Sequence, residues 1–250
     1  MRYAILSDIH ANLEALSATL EHLAEERIDT YLCAGDIVGY GADPSACLAR
    51  LQSVNAICVA GNHEWGCIGK LDLSWFHETA RRALEWTRDQ LSFSDLDLLR
   101  RMPLTTEAGP CTLVHATLRR PERFEYLTDL ARTVEMAAHQ RTTFSVYGHT
   151  HLPALIEYDT KQRRLGRVLT DEAELRDVQL SFEPGLRYVI NPGSVGQPRD
   201  GDARASAAIL DVGARTLSIR RIAYDVPTAQ KKILDAGLPV FLAERLASGR

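Results

Sequence analysis

Five short apolar runs in this sequence are each followed closely by a carboxylate, an amide or an imidazole. Residues 2–7 lead to Asp8 and His10, residues 30–34 to Asp36, and residues 56–60 to Asn62, His63 and Glu64. Further on, a run beginning at Cys111 ends at His115, and residues 144–147 are followed by His149 and His151. Short apolar runs bounded by glycine and polar residues read as buried strands, and open α/β sheets build their sites beyond the carboxyl ends of such strands. One Asp-x-His or Gly-His carries little information, because a lone histidine is usually a surface or satisfied core group. Five sets after five strands require a fold that gathers those ends. In an extended chain residues i and i+2 point the same way, so Asp8 with His10, and His149 with His151, are each expected to face one centre.

The first three runs alternate with helical patterns. Leu13, Leu16, Leu20 and Leu23 recur at helical spacing, and Asp43-Pro44 opens a second helix through Val54 with proline in its first turn. This alternation predicts βαβ units with parallel strands. Residues 65–102 read as a helical insertion over the site, with Ser94 capping its last helix. Strand character returns at 111–115 and a helix is expected over 130–139. The remainder is mostly β, at 144–147, 154–158, 166–169, 187–190, 207–211 and 216–222. Residues 160–183, rich in charge, read as a surface hairpin, and Pro227 and Pro239 open two C-terminal helices. No linker divides the 250 residues, so one domain of mixed α/β class is expected, with two packed sheets flanked by helices.

Composition excludes several function classes. At 45% apolar and 25% charged the chain can bury a full core, and a net charge of −4 provides no broad basic surface for gripping a nucleic-acid backbone. No secretory pattern opens the sequence, and no apolar run approaches the roughly 18 residues of a membrane span. A cytoplasmic protein without a membrane partner is expected. The five cysteines contain no Cys-x-x-Cys and three lie in apolar runs, which argues against a zinc ribbon and against disulfides.

The set Asp8-x-His10, Gly35-Asp36-x-x-Gly39, Gly61-Asn62-His63-Glu64, His115 and Gly148-His149-x-His151 resembles, in kind and order, the five motifs of calcineurin-like metallophosphoesterases. The stretch from Asn191 to Asp202, NPGSVGQPRDGD, resembles a further signature of bacterial members. The resemblance implies a four-layer αββα sandwich of two mixed β-sheets with helices outside. It also implies two divalent ions, manganese with or without iron foremost, with zinc, cobalt, nickel or magnesium as alternatives. By the family pattern Asp8, His10, Asp36 and His151 surround one ion and Asp36, Asn62, His115 and His149 the other, with Asp36 bridging. His63 is then the residue implied to touch substrate and protonate the leaving oxygen, its ordinary pKa near 6.5 suiting that task. The implied activity is hydrolysis of a phosphodiester or phosphomonoester by attack of a metal-bound hydroxide.

One departure bears on substrate. Where phosphoprotein phosphatases and the diadenosine tetraphosphatases like them carry Asp-Arg-Gly, this chain has Gly39-Tyr40-Gly41, which favours the bacterial phosphodiesterase-like branch. Another cation is then needed for phosphate: Arg199 in its glycine- and proline-rich loop is the first candidate, with Arg119 and Arg120 behind it, and Tyr40 and Trp65 are candidate pocket walls. His22, His77 and His139 follow no strand and read as structural. A small phosphoester or nucleotide is the expected partner. The alternatives are a dinucleoside polyphosphate or other nucleotide pyrophosphohydrolase, and a non-catalytic scaffold, which the retained His63 and full ligand set disfavour.

Overall fold

The computed structural model describes residues 1–127 and 129–250. In chain order the strands are β1 Arg2–Leu6, β2 Thr30–Cys33, β3 Ile57–Cys58, β4 Thr105–Ala108, β5 Cys111–Val114, β6 Phe144–Val146, β7 Ala154–Asp159, β8 Arg164–Leu169, β9 Val178–Gln179, β10 Leu186–Asn191, β11 Ala205–Asp211 and β12 Thr216–Ile222. The helices are α1 Leu13–Ala24, α2 Pro44–Ser53, α3 Asn62–Cys67, α4 Glu78–Gln90, α5 Phe93–Arg101, α6 Leu130–His139, α7 Glu172–Leu175, α8 Val226–Asp235 and α9 Val240–Glu244.

The strands form two six-stranded mixed sheets, ordered β3-β2-β1-β11-β12-β9 and β4-β5-β6-β10-β7-β8. Each sheet holds a parallel trio, β1–β2–β3 in one and β5–β6–β10 in the other, while the remaining pairs are antiparallel. Alternation along the strands explains the layering. Tyr3 and Ile5 of β1 enter the core between the sheets with Phe144, Tyr188 and Leu210, whereas Ala4 and Leu6 turn to the opposite face and meet Leu16, Leu20 and Leu23 of α1. On the outer face of the second sheet Val114, Tyr147 and Val189 pack with Met136 and Ala137 of α6. The order helix, sheet, sheet, helix follows, as the family resemblance implied.

Several local expectations need correction. The cap of α5 is Ser92, not Ser94: its hydroxyl accepts from Asp95 N at 3.1 Å while the Asp95 carboxylate accepts from Ser92 N at 3.0 Å, a reciprocal box that fixes the start earlier. Asp43 occupies the N-cap of α2, but its carboxylate pairs with Lys232 at 2.9 Å instead of capping. Helix α3 begins at Asn62, before the expected insertion boundary. Strand β4 has no apolar pattern and is an edge strand held by β5. The 160–183 stretch divides. Its first part is edge strand β8 paired to β7, while Leu175, Val178 and Leu180 are buried between the sheets, leaving no simple surface hairpin.

Candidate metal centre

All the candidate ligands lie just beyond the carboxyl ends of the two parallel trios. The loops after β1, β2 and β3 carry Asp8 and His10, Asp36, and Asn62 with His63; those after β5 and β6 carry His115, and His149 with His151. The sixth loop, after β10, carries Ser194, Gln197 and Arg199. The extended-chain argument for Asp8 with His10 fails in detail, because the chain turns there. Asp8, His10, Asp36, His149 and His151 have φ of +52°, +50°, +51°, +65° and +60°, a left-handed region that disfavours residues with a Cβ by about 1–2 kcal/mol each. Inter-loop bonds hold them: Asp8 N donates to Gly35 O at 3.0 Å, His10 N to Asp36 O at 3.0 Å, and His149 N to Asp8 Oδ2 at 3.0 Å. Strain concentrated at one cluster of side chains is the mark of a site.

The side chains form two adjoining groups. In one, His10 Nε2 is 3.2 Å from His151 Nε2, and His151 Nε2 is 3.3 Å from Asp8 Oδ1. In the other, His115 Nε2 lies 3.2 Å from Asp36 Oδ2, 3.1 Å from Asn62 Oδ1 and 3.1 Å from His149 Nδ1. Asp36 stands between them, its Oδ2 also 3.9 Å from His10 Nε2. The second nitrogen of three rings faces a backbone carbonyl: His10 Nδ1 at 3.3 Å from Val38 O, His115 Nδ1 at 2.8 Å from Ala34 O, and His151 Nδ1 at 2.6 Å from Gln197 O. A carbonyl only accepts, so Nδ1 carries a proton in each, and whenever the ring is neutral its Nε2 is a bare lone pair turned inward. Lone pairs of His10 and His151 therefore converge with carboxylate oxygens, an arrangement that repels itself unless a cation lies among them. His149 Nε2 and His63 Nδ1 are buried with no protein partner among the described residues, and His63 Nδ1 lies against Gly39, where a Cβ would fall 2.1 Å away.

Titration follows from this burial. Burial holds His10 and His151 well below the ordinary histidine range, and pushes His149 down to about 3 and His63 down to about 4. Burial likewise raises Asp8 to about 7. For Asp36 burial acts upward but is outweighed by His115 and His63, so its carboxyl sits well below the ordinary range. His115 is the counterpart: burial lowers it, and Asp36 with Asp8 outweigh burial and lift it to about 9. Neutral His10, His149 and His151 beside carboxylates suit a divalent ion as they stand, whereas His115 would give up its proton on binding one.

A family model described as the calcineurin-like phosphoesterase superfamily domain matches residues 1–215. The chain belongs to the calcineurin-like phosphoesterase superfamily. It is 36% identical over 251 residues to the uncharacterized protein MJ0912 of Methanocaldococcus jannaschii, covering 99% of this chain and 98% of that protein. A crystal structure of a metallophosphoesterase from Sphaerobacter thermophilus is 37% identical, with all of both chains covered and a TM-score of 0.86. The hypothetical protein PH1004 of Pyrococcus horikoshii shares the fold, with a TM-score of 0.76 at 19% identity, over 100% of this chain and 98% of that one. The family is metal-dependent, and the groups Asp8–His10–His151 and Asp36–His115–His149 each offer three ligand atoms within 4.8 Å of one another.

Within this phosphoesterase fold Glu64 has a role its position in the sequence did not disclose. Its buried carboxylate accepts four backbone N–H groups: Asp36 at 2.9 Å and Gly61 at 2.7 Å on Oε2, Ile37 at 2.8 Å and Val38 at 3.1 Å on Oε1. It thereby fastens the loop after β2 to the loop after β3. Burial, then the Asp36 charge, raises Glu64 to about 7 while the backbone donors oppose. Four donors use every lone pair of the ionised form. The glycine ahead of Asn62 is equally specific, since a Cβ on Gly61 would fall 2.1 Å from Asp36 Oδ1.

The centre opens into a cleft of about 190 Å³. Tyr40 lines it, its ring 4.6 Å from that of His10 and 4.5 Å from that of His63. Arg199 reaches the same cleft, donating to Gln197 Oε1 at 2.9 Å and lying beside the Tyr126 hydroxyl. Arg119 does not: it is exposed, pairs with Glu135, and lines a separate groove with Arg120 and Arg132. Trp65 stands behind the wall, edge-on to Phe124 at 5.5 Å. His77, expected to be structural, lies on the cleft's rim with Arg123 and Tyr126, residues with no motif to announce them.

Proposed function

We propose that this protein hydrolyses a small phosphoester with two divalent ions, Asp8, His10, Asp36 and His151 holding one, and Asp36, Asn62, His115 and His149 the other. The observation carrying the proposal is the convergence of three Nε2 atoms, each turned inward by a backbone carbonyl on Nδ1, on two buried carboxylates. Such a pair of ions activates water and takes up charge on phosphoryl oxygens. Asp36, placed between the groups, suits a bridging role, and a neutral Asn62 adds no further negative charge. Arg199 is positioned to bind the phosphoryl group from the cleft side.

His63 is the proposed acid. Its backbone N donates to Asp36 Oδ1 at 2.9 Å, and its ring, packed edge-on to Phe76 at 5.5 Å, lines the cleft. Burial pushes it down to about 4, not the 6.5 expected from sequence, so the protein alone leaves it neutral at pH 7. A phosphoester anion beside the ring raises its proton affinity, coupling protonation to substrate binding. Manganese-supplemented hydrolysis of bis-p-nitrophenyl phosphate, p-nitrophenyl phosphate and dinucleoside polyphosphates tests the reading. Turnover of at least one ester, abolished by chelator and restored by manganese, is expected; no turnover of any of them with the metal bound would refute it.

A further inference from the structure

Two chemistries meet in the cleft outside the metal ligands. Trp75 is 76% exposed and Tyr126 is 48% exposed, yet both line the cleft, from opposite segments of the chain. Large aromatic rings left open to water at a site mark a binding surface. The Tyr126 ring lies flat on His149, with centroids 3.9 Å apart and planes 22° from parallel, so one π-face is used while the residue stays 48% exposed. Arg123 and Arg199 line the same cleft, and among the described residues neither pairs with a carboxylate, Arg199 meeting Gln197 Oε1 and the Tyr126 hydroxyl instead. Asp36 is the cleft's one acidic residue among those described. Arginines without anions beside aromatic faces without partners suit a ligand that supplies both.

We propose that the substrate is a phosphoester bearing a planar aromatic group, with the ring stacked on Trp75 or Tyr126 and the phosphoryl oxygens held by Arg199 and Arg123. This rests on the phosphoesterase reading and narrows it. Aliphatic lining would suit a lipid tail, but the walls here are aromatic, and π-stacking favours flat rings of any heteroatom content. A nucleobase and a tyrosyl ring share this chemistry.

Calorimetry on the manganese-loaded protein separates the possibilities with product analogues: AMP against ribose 5-phosphate, and phosphotyrosine against phosphoserine. We expect the ring-bearing member of at least one pair to bind at least about fivefold more tightly. The AMP pair assigns a nucleoside and the phosphotyrosine pair an aryl ester. Trp75→Ala or Tyr126→Ala should reduce that ratio by a similar factor, and Trp75→Phe should restore most of it. Equal affinity within both pairs, in a protein that hydrolyses small esters, would overturn this inference and leave the phosphoesterase reading standing. Absence of both binding and hydrolysis would overturn both. A wild-type ratio unchanged in both alanine variants would also overturn the stacking assignment.

Discussion

Replacing Glu64 should unfasten at once two loops that carry candidate metal ligands. In Glu64→Ala the N–H groups of Asp36, Ile37, Val38 and Gly61 lose their acceptor in a buried setting. An orphaned buried donor costs about 1–3 kcal/mol, so four give a loss of at least about 4 kcal/mol, a large share of the usual 5–15 kcal/mol of domain stability. Glu64→Gln is a sharper probe. Its single carbonyl oxygen can satisfy one pair of donors, while its NH₂ must face the other pair, leaving two donors orphaned and about 2–6 kcal/mol lost. Urea unfolding of wild type and both variants, in chelator and in manganese, measures the effect, with metal content read by mass spectrometry. We expect both variants to be destabilised, and to retain less metal because Asp36 is no longer held. Stability within about 0.5 kcal/mol of wild type with full metal content would refute the clamp.

His63→Ala should retain its metals while turnover falls by about 10²–10⁴, the usual contribution of a general acid; unchanged turnover would remove the acid role. Gly61→Ala should lose metal, because its Cβ would displace Asp36 Oδ1 from 2.1 Å away, and bound manganese equal to wild type would contradict this. Asp95 is raised by burial but lowered further by the Ser92 and Ser45 hydroxyls, so its net shift is downward. A depressed acid stabilises the fold above its unfolded value of about 4 and ceases to do so as pH falls through the folded value. The Tm of Asp95→Asn should therefore lie below that of wild type at neutral pH, with the gap closing as pH falls from about 4 through the depressed folded value.

Much of the candidate site was legible because its residues are polar groups punctuating apolar strands, a pattern set by one strand end at a time. The layering was legible too, through alternation such as Tyr3 and Ile5 against Ala4 and Leu6. What lay hidden depends on tertiary approach. The Glu64 clamp joins residues 25 or more positions apart except at Gly61, and nothing local to GNHE indicates where that carboxylate turns. Loop composition ranks Arg199 ahead of Arg119, but only the fold sets a cleft beside one and Glu135 beside the other. The depression of His63 is likewise a product of burial, and the turn geometry at Asp8 and His10 replaced the extended strand assumed from spacing.

The central claim is a pair of ions sharing Asp36, and the most direct test is manganese stoichiometry combined with electron paramagnetic resonance. Wild type reconstituted with manganese should bind two ions per chain with a spin-coupled spectrum, and Asp36→Asn should lose the coupling and at least one ion. One ion or none in wild type, or two that remain uncoupled, would contradict the account.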